Sequence, residues 1–175
     1  VPRANERTPL TTDPAKRAVI QRFLNAFPAE LPNRTDINPR ALNTNARQGI
    51  DDDSGSLRLE QTLPRKNLLS LRYAYTAQYV DAFQLVAGQN PDTTTRAHTA
   101  MMTWTHTFSA RTIAQASAGF DRVGSLLVPE PNAVGPQVNF SNVLATLGPG
   151  SSIPINRAQN RFRNGGSMTQ NRGAH

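Results

Sequence analysis

The sequence predicts an all-β fold: antiparallel up-and-down strands forming part of a transmembrane outer-membrane β-barrel, with long loops and one short helix. Three observations carry this. Residues 56–83 contain two runs of strictly alternating side chains joined by the tight turn Pro64-Arg65-Lys66-Asn67. The second run outlasts the usual globular strand of about five or six residues and has no charge on its apolar side. A strand that crosses a bilayer needs about nine to eleven such residues, apolar toward lipid and polar toward the lumen. Finally, the connections alternate short and long along the chain, as short periplasmic turns and longer extracellular loops do.

In chain order, residues 1–50 read as an irregular loop region, punctuated by Pro2, Pro9, Pro14, Pro28, Pro32 and Pro39. A short helix is expected over 14–27. Asp13 can cap it, Pro14 suits its first position, and Ile20, Phe23, Leu24 and Phe27 recur at helical spacing before Pro28. The simplest reading is a helix packed inside a long loop. Residues 51–175 then form the partial barrel, with strands over about 56–63, 68–82, 95–108, 113–126 and 160–170. Asp51-Asp52-Asp53 read as a solvated acidic loop ahead of the first strand. Residues 84–93 read as a longer loop, and Ser109-Ala110-Arg111-Thr112 as a second tight turn. From Leu127 to about Ala158 a large loop is expected, with a short helix around 140–147. The fifth strand is interrupted by Gly165-Gly166 and followed by a third short turn, Asn171 to His175.

Alternation assigns the faces. Leu57, Leu59, Leu69, Leu71, Tyr73, Tyr75, Met102, Trp104, Phe108 and Phe120 fall on the parity expected to face lipid. Arg58, Glu60, Arg72, Thr76, Gln78, Thr103 and Thr105 fall on the other, and are the candidates for lumenal or substrate-binding side chains. On the lipid-facing parity His98 and His106 stand eight residues apart, about 20 Å along the membrane normal on a tilted strand. They therefore belong near the two interfaces, hydrogen-bonded, with Phe108 in an aromatic girdle. Arg122 shares the parity of Phe120 and requires its strand to have reached the outer rim. A soluble β-sandwich with a basic surface, acting as a binding or adhesion module, would turn the same apolar parity toward a core and is the alternative reading.

Composition narrows the function classes. The formal net charge is +7, and the only lysines are Lys16 and Lys66, so the excess is arginine. These arginines are scattered, without a dense run or interleaved aromatics, which argues against nucleic acid as partner. An anionic membrane surface or an anionic solute inside a pore suits them equally well. There is no cysteine, which excludes disulfide frameworks and thiolate metal sites. A mean hydropathy of -0.51 is compatible with a barrel, whose strands hide their apolar residues by alternation.

No enzymatic constellation is expected. His98, His106 and His175 have no ligand spacing to one another, so no metal site is read from them. Asp51-Asp52-Asp53-Ser54-Gly55 lacks the spaced carboxylates and distal glutamate of a calcium loop. Gly148-Pro149-Gly150-Ser151-Ser152 lacks the lysine and strand-to-helix context of a phosphate cradle. No cofactor is implied. Arg58, Glu60 and Arg72 on one wet face read as a charge network supporting a barrel.

Several short motifs together resemble a known family. Gly55-Ser56-Leu57-Arg58-Leu59-Glu60-Gln61, Arg72-Tyr73-Ala74-Tyr75, Trp104-Thr105-His106-Thr107-Phe108-Ser109, Gly119-Phe120-Asp121-Arg122 and Arg172-Gly173-Ala174-His175 are similar, in order and spacing, to the Oar-like TonB-dependent receptors. The Asp13-Pro14 helix, ending at Phe27-Pro28 and followed by Pro32-Asn33, resembles the loop preceding these strands. The resemblance covers most of the chain from about residue 13 and implies a large barrel in the cell outer membrane of a Gram-negative bacterium, its lumen closed by a plug. Its implied partners are outer-membrane lipid and lipopolysaccharide, the rest of the barrel and plug, and TonB through segments outside this sequence. The chain is accordingly read as an internal fragment of a solute importer that would not transport alone, because a partial barrel has unpaired strand edges.

Overall fold

The structure, a computed structural model, describes residues 1–141 and 143–173. Residue 142 of the helix expected around 140–147, and Ala174 and His175 of the expected closing turn, lie outside the described residues.

Five strands form a single sheet in the order β1-β2-β3-β4-β5, so each pairs with its neighbour in sequence and β1 and β5 are the two edges. They are β1 Gly49–Leu63, β2 Asn67–Asp81, β3 Asp92–Ser109, β4 Thr112–Val128 and β5 Ile155–Gln170. This is the antiparallel up-and-down arrangement the alternation predicts. At 15 to 18 residues each, the strands exceed the length a tilted crossing requires. The first tight turn holds Arg65 and Lys66 both at φ 60°, the left-handed region that two-residue hairpin loops demand.

Strand extent departs from the pattern-based expectation at several places. β1 begins at Gly49 rather than near residue 56, so Asp51-Asp52-Asp53 lie within a strand, not in a loop. β5 begins at Ile155 rather than near 160 and continues through Gly165-Gly166 without interruption. The reason is common to both. A ladder is held by backbone groups of the neighbouring strand, so pairing extends through residues whose own side chains carry no alternation. Instead of a helix around 140–147, Val138 and Leu147 form an antiparallel bridge, Val138 N donating to Leu147 O at 2.8 Å and Leu147 N to Val138 O at 3.0 Å.

The chain divides into two compact units: residues 1–50, 79–93 and 126–155 in one, and 51–78, 94–125 and the residues from 156 onward in the other. Among its described residues, the second unit consists of strands and their short turns. In the first, helix α1 spans Pro14–Asn25. It starts where the sequence predicts, with the Asp13 carboxylate accepting from Ala15 N at 2.9 Å and Lys16 N at 3.3 Å. It stops before Ala26 rather than at Phe27, so Phe27 leaves the helix and enters the core instead. That core gathers Ala26, Phe27, Val86, Val134 and Leu147, with Phe23, Leu85, Val138, Phe140 and Leu144 packed around it. The Phe27 and Phe140 rings lie 6.1 Å apart, and Ala87 N donates to Ala26 O at 2.8 Å. This fastens loop 82–91 to the end of α1.

The strands contribute no apolar side chain to the buried set among the described residues. The sandwich alternative needs a second sheet over the apolar parity. Here the described strands make one sheet, and Leu57, Leu59 and Phe108 on that parity remain 58%, 56% and 58% exposed.

Gly88 sets the packing of the loop unit. Its φ is +72°, and a Cβ there would stand 2.2 Å from the Ala133 Cα. Gly88→Ala should therefore destabilise this unit by about 2–4 kcal/mol, combining left-handed backbone cost with overpacking against main chain. Limited proteolysis of residues 126–155 would register it as faster cleavage; an unchanged rate would contradict the assignment.

Candidate functional site

The two faces of the sheet are identified by contacts across strands. Along one face the Tyr73 hydroxyl and His98 Nδ1 are 2.8 Å apart, and the Tyr75 and His98 rings are 4.9 Å apart. Trp104 and His106 stack at 5.7 Å, and His106 meets Phe108 edge-on at 4.4 Å. Phe120 and Phe162 are 5.1 Å apart, and Arg122 donates to Asn160 Oδ1 at 3.0 Å. Odd positions of β2 and even positions of β3, β4 and β5 thus share this face. Leu71, Tyr73, Met102 and Trp104 on it are exposed, while Leu69, Tyr75 and Phe120 are half-buried by their neighbours.

Asn67 is a junction that pattern reasoning missed. Its Nδ2 donates to Pro64 O at 2.6 Å, closing the β1–β2 turn. Its Oδ1 lies 3.0 Å from the Trp104 Nε1 and 2.7 Å from His106 Nδ1. An indole nitrogen only donates, so the Asn67 atom it meets is the oxygen, and His106 must donate through Nδ1–H. One amide therefore satisfies the polar handles of an aromatic row and pins β3 to the hairpin turn. This is the hydrogen-bonded role expected for His106. Asn67 reads in sequence as an ordinary turn residue, because its other partners lie on a different strand.

The opposite face is polar. Arg58 Nη2 and Glu60 Oε1 form an exposed ion pair at 2.5 Å. Gln78 donates to Asp52 Oδ1 at 2.9 Å, which gives a cross-strand role to the acidic stretch expected to be solvated loop. Thr76 lines a shallow depression of about 300 Å³ with Ser54, Gly55, Ser56 and Ala74. Arg72 is exposed, and Thr103 and Thr105 are half-buried on the same parity. The sequence candidates are thus strung along β1 to β3 and do not converge on one point.

Convergence occurs across β3 to β5 at Thr99, Asp121 and Arg163, none of which the sequence pattern marks as a site residue. Arg163 grips Asp121 with two nitrogens, Nε to Oδ2 at 2.9 Å and Nη2 to Oδ1 at 2.9 Å. Thr99 Oγ1 donates to the same Asp121 Oδ1 at 3.0 Å. These residues line a depression of about 350 Å³ together with Val123, Gln159 and Arg161. A bidentate guanidinium–carboxylate pair is directional as well as charged, so it fixes how Arg163 lies across β4. Arg163 passes over Gly119, where an added Cβ would stand in ordinary contact at 3.6 Å from Arg163 Nε.

In the loop unit, the carboxylates of Asp81, Asp92 and Glu130 have oxygens within 4.8 Å of one another. Asp92 accepts from Ala82 N at 3.1 Å and from the Tyr79 hydroxyl at 2.9 Å. Glu130 is held above the ordinary carboxylate range by burial first, then by the charge of Asp92, against a hydrogen bond from Gln84 that favours ionisation. Counted at one oxygen each, the three carboxylates supply fewer than the roughly six to eight oxygens a calcium ion takes. The charges of Asp92 and Asp81 add to burial in favouring the protonated form of Glu130.

A family model described as an outer membrane beta barrel domain matches residues 2–175 of this chain. No curated protein and no solved structure was found to match it.

Two outcomes are expected. Asn67→Ala leaves the Trp104 indole N–H and His106 without their shared acceptor and should lower stability by about 2 kcal/mol, read from the urea midpoint in micelles; no shift would contradict the junction. Glu130 binds its proton more readily folded than unfolded. That contribution is complete below the ordinary carboxylate value and is lost as pH rises through the raised one. Protection of residues 126–155 from proteolysis should therefore increase on acidification through this window. Glu130→Gln should raise protection at pH 7 and flatten its pH dependence.

Proposed function

Because the chain belongs to the outer membrane beta barrel domain family, we propose that it forms part of the wall of a TonB-dependent receptor that binds a solute outside the cell and imports it. The chain's place is the outer membrane of a Gram-negative bacterium. The observation that carries the proposal is the two-sided sheet: long antiparallel strands with exposed leucines and aromatics along one face and ion-paired polar residues along the other. In a bilayer the first face meets lipid and the second a watery lumen.

The receptor reading adds the resemblance of the Gly55, Arg72, Trp104 and Gly119 motifs to the Oar-like receptors. The connections fit it too, since 64–66 and 110–111 are short while 82–91 and 129–154 are long. In this reading the long connections face outward, toward solute and lipopolysaccharide. The aromatic row Trp104, His106 and Phe108 marks the periplasmic interface, and His98 with Tyr73 and Tyr75 the outer one. Edges β1 and β5 pair with further strands of the same barrel, a plug fills the lumen, and TonB engages segments outside these residues. No bond-making chemistry is assigned to the chain.

The lipid-facing assignment predicts that Leu71→Arg destabilises the folded protein in vesicles by about 2–4 kcal/mol near the midplane, while Thr76→Arg costs far less. Equal tolerance on both parities would overturn the barrel wall. In intact cells, uptake through a TonB-dependent importer stops when a protonophore collapses the inner-membrane gradient. Uptake that continues unchanged would replace the importer with a passive pore.

A further inference from the structure

The three arginines of β5, Arg157, Arg161 and Arg163, all occupy one parity, and it is the polar one. Alternate strand positions face the same side, and Arg161 and Arg163 line the same depression as Thr99 and Asp121. On β1 and β2, the polar face balances itself: Arg58 is paired with Glu60, and Asp52 stands with Arg72 on the same face. On β3 to β5 it does not. The polar parity of β3, from Thr99 through Thr107, carries no acid, and that of β4 carries Asp121 alone. Asp121 has both oxygens engaged by Arg163 and one also by Thr99. Among the described residues, Arg157 and Arg161 have no carboxylate partner, and both are exposed.

We infer that Arg157, Gln159 and Arg161 form an anion-binding stripe on the lumenal face of β5, taking a solute that carries two or more phosphate or carboxylate groups. The inference rests on the barrel reading, which makes this face the watery one. Same-side residues on a strand are about 6.6 Å apart, so Arg161 lies about 13 Å from Arg157, with the Gln159 amide between them. That spacing suits a polyanion rather than a single small ion. Guanidinium forks match phosphate and carboxylate oxygens two at a time, and the amide NH₂ adds a donor without a competing charge. The locked Arg163–Asp121 pair plays a different part: it holds one end of the row rigid and removes from competition for Arg161 the one carboxylate that lines the depression among the described residues.

The test uses the full chain refolded in zwitterionic micelles and inorganic tripolyphosphate as probe, followed by titration calorimetry. Saturable binding is expected that weakens with added salt and falls about tenfold or more in Arg157→Gln/Arg161→Gln. The charge-preserving Arg157→Lys/Arg161→Lys should recover part of it, which a mere folding defect would not. Arg34→Gln, at an arginine already paired with Asp36 and outside the strands, should change affinity by less than about twofold. Absence of saturable binding by the folded protein would overturn the inference, as would equal losses in Arg34→Gln. Lipid A micelles form a second arm. If the double variant loses lipid A retention while tripolyphosphate fails to compete, the phosphate belongs to a headgroup and the solute assignment is overturned. Failure here, with Leu71→Arg still disrupting folding and Thr76→Arg not, would leave the barrel intact and remove only the anion stripe.

Discussion

Hydrogen-bonding of the strand backbone governs everything else in this chain. In hydrocarbon an unpaired N–H or C=O costs several kcal/mol, so a strand can cross only with a partner on each side. β2, β3 and β4 have both partners, whereas β1 and β5 each have one. In an up-and-down sheet β1, β3 and β5 run in the same direction. A second copy set edge to edge would bring β5 beside another β1 in parallel, against the antiparallel rule of outer-membrane barrels. Closure of an antiparallel barrel therefore calls for an odd number of further strands between these edges. The same pairing imposes the period of two that sends leucine and tyrosine to one side and arginine, threonine and serine to the other.

Once the ladder assigns the faces, each solves a different problem. Set against lipid, as proposed, the apolar face must accommodate its polar atoms without water. It does so with Asn67, which serves the turn carbonyls with one end and Trp104 and His106 with the other. It does so again where Arg122 meets Asn160 and Tyr73 meets His98. The polar face has water available, and its exposed pair Arg58–Glu60 contributes little to stability. Its more informative pair is Arg163–Asp121, bidentate, with a half-buried carboxylate that is shared with Thr99. Among the described residues, the buried apolar cluster lies in the other unit, around Phe27, Val86 and Leu147.

The sequence made the middle of the sheet legible and its borders obscure. β2, β3 and the first half of β4 announce themselves because leucine, tyrosine and tryptophan alternate with threonine, serine and glutamine. β1 before Ser56 and β5 before Asn160 carry aspartate, arginine and asparagine on consecutive positions, so alternation is absent although the neighbouring strand continues the ladder. Phe27 fits the helical period of α1 but is reached after the helix has ended, since a core residue needs only the right place and not the right element. The sequence suggests a short helix around 140–147, yet main-chain pairing between Val138 and Leu147 prevails in a segment rich in loop formers. The junction at Asn67 and the Arg163–Asp121–Thr99 cluster depend on strand register, which a single sequence does not display. The β5 arginines, by contrast, were visible as residues and became a stripe only when the strand fixed their parity.

The central claim, that alternate residues of these strands face lipid and water, is most directly tested by attaching a nitroxide at each position from Leu68 to Val80. The chain has no native cysteine, so single cysteines can be introduced without competing sites. With the protein in lipid vesicles, accessibility to dissolved oxygen should peak at Leu69, Leu71, Tyr73 and Tyr75. Accessibility to a water-soluble nickel chelate should peak at Ser70, Arg72, Ala74 and Thr76. A profile without the period of two, or with the two reagents exchanged, would contradict the account.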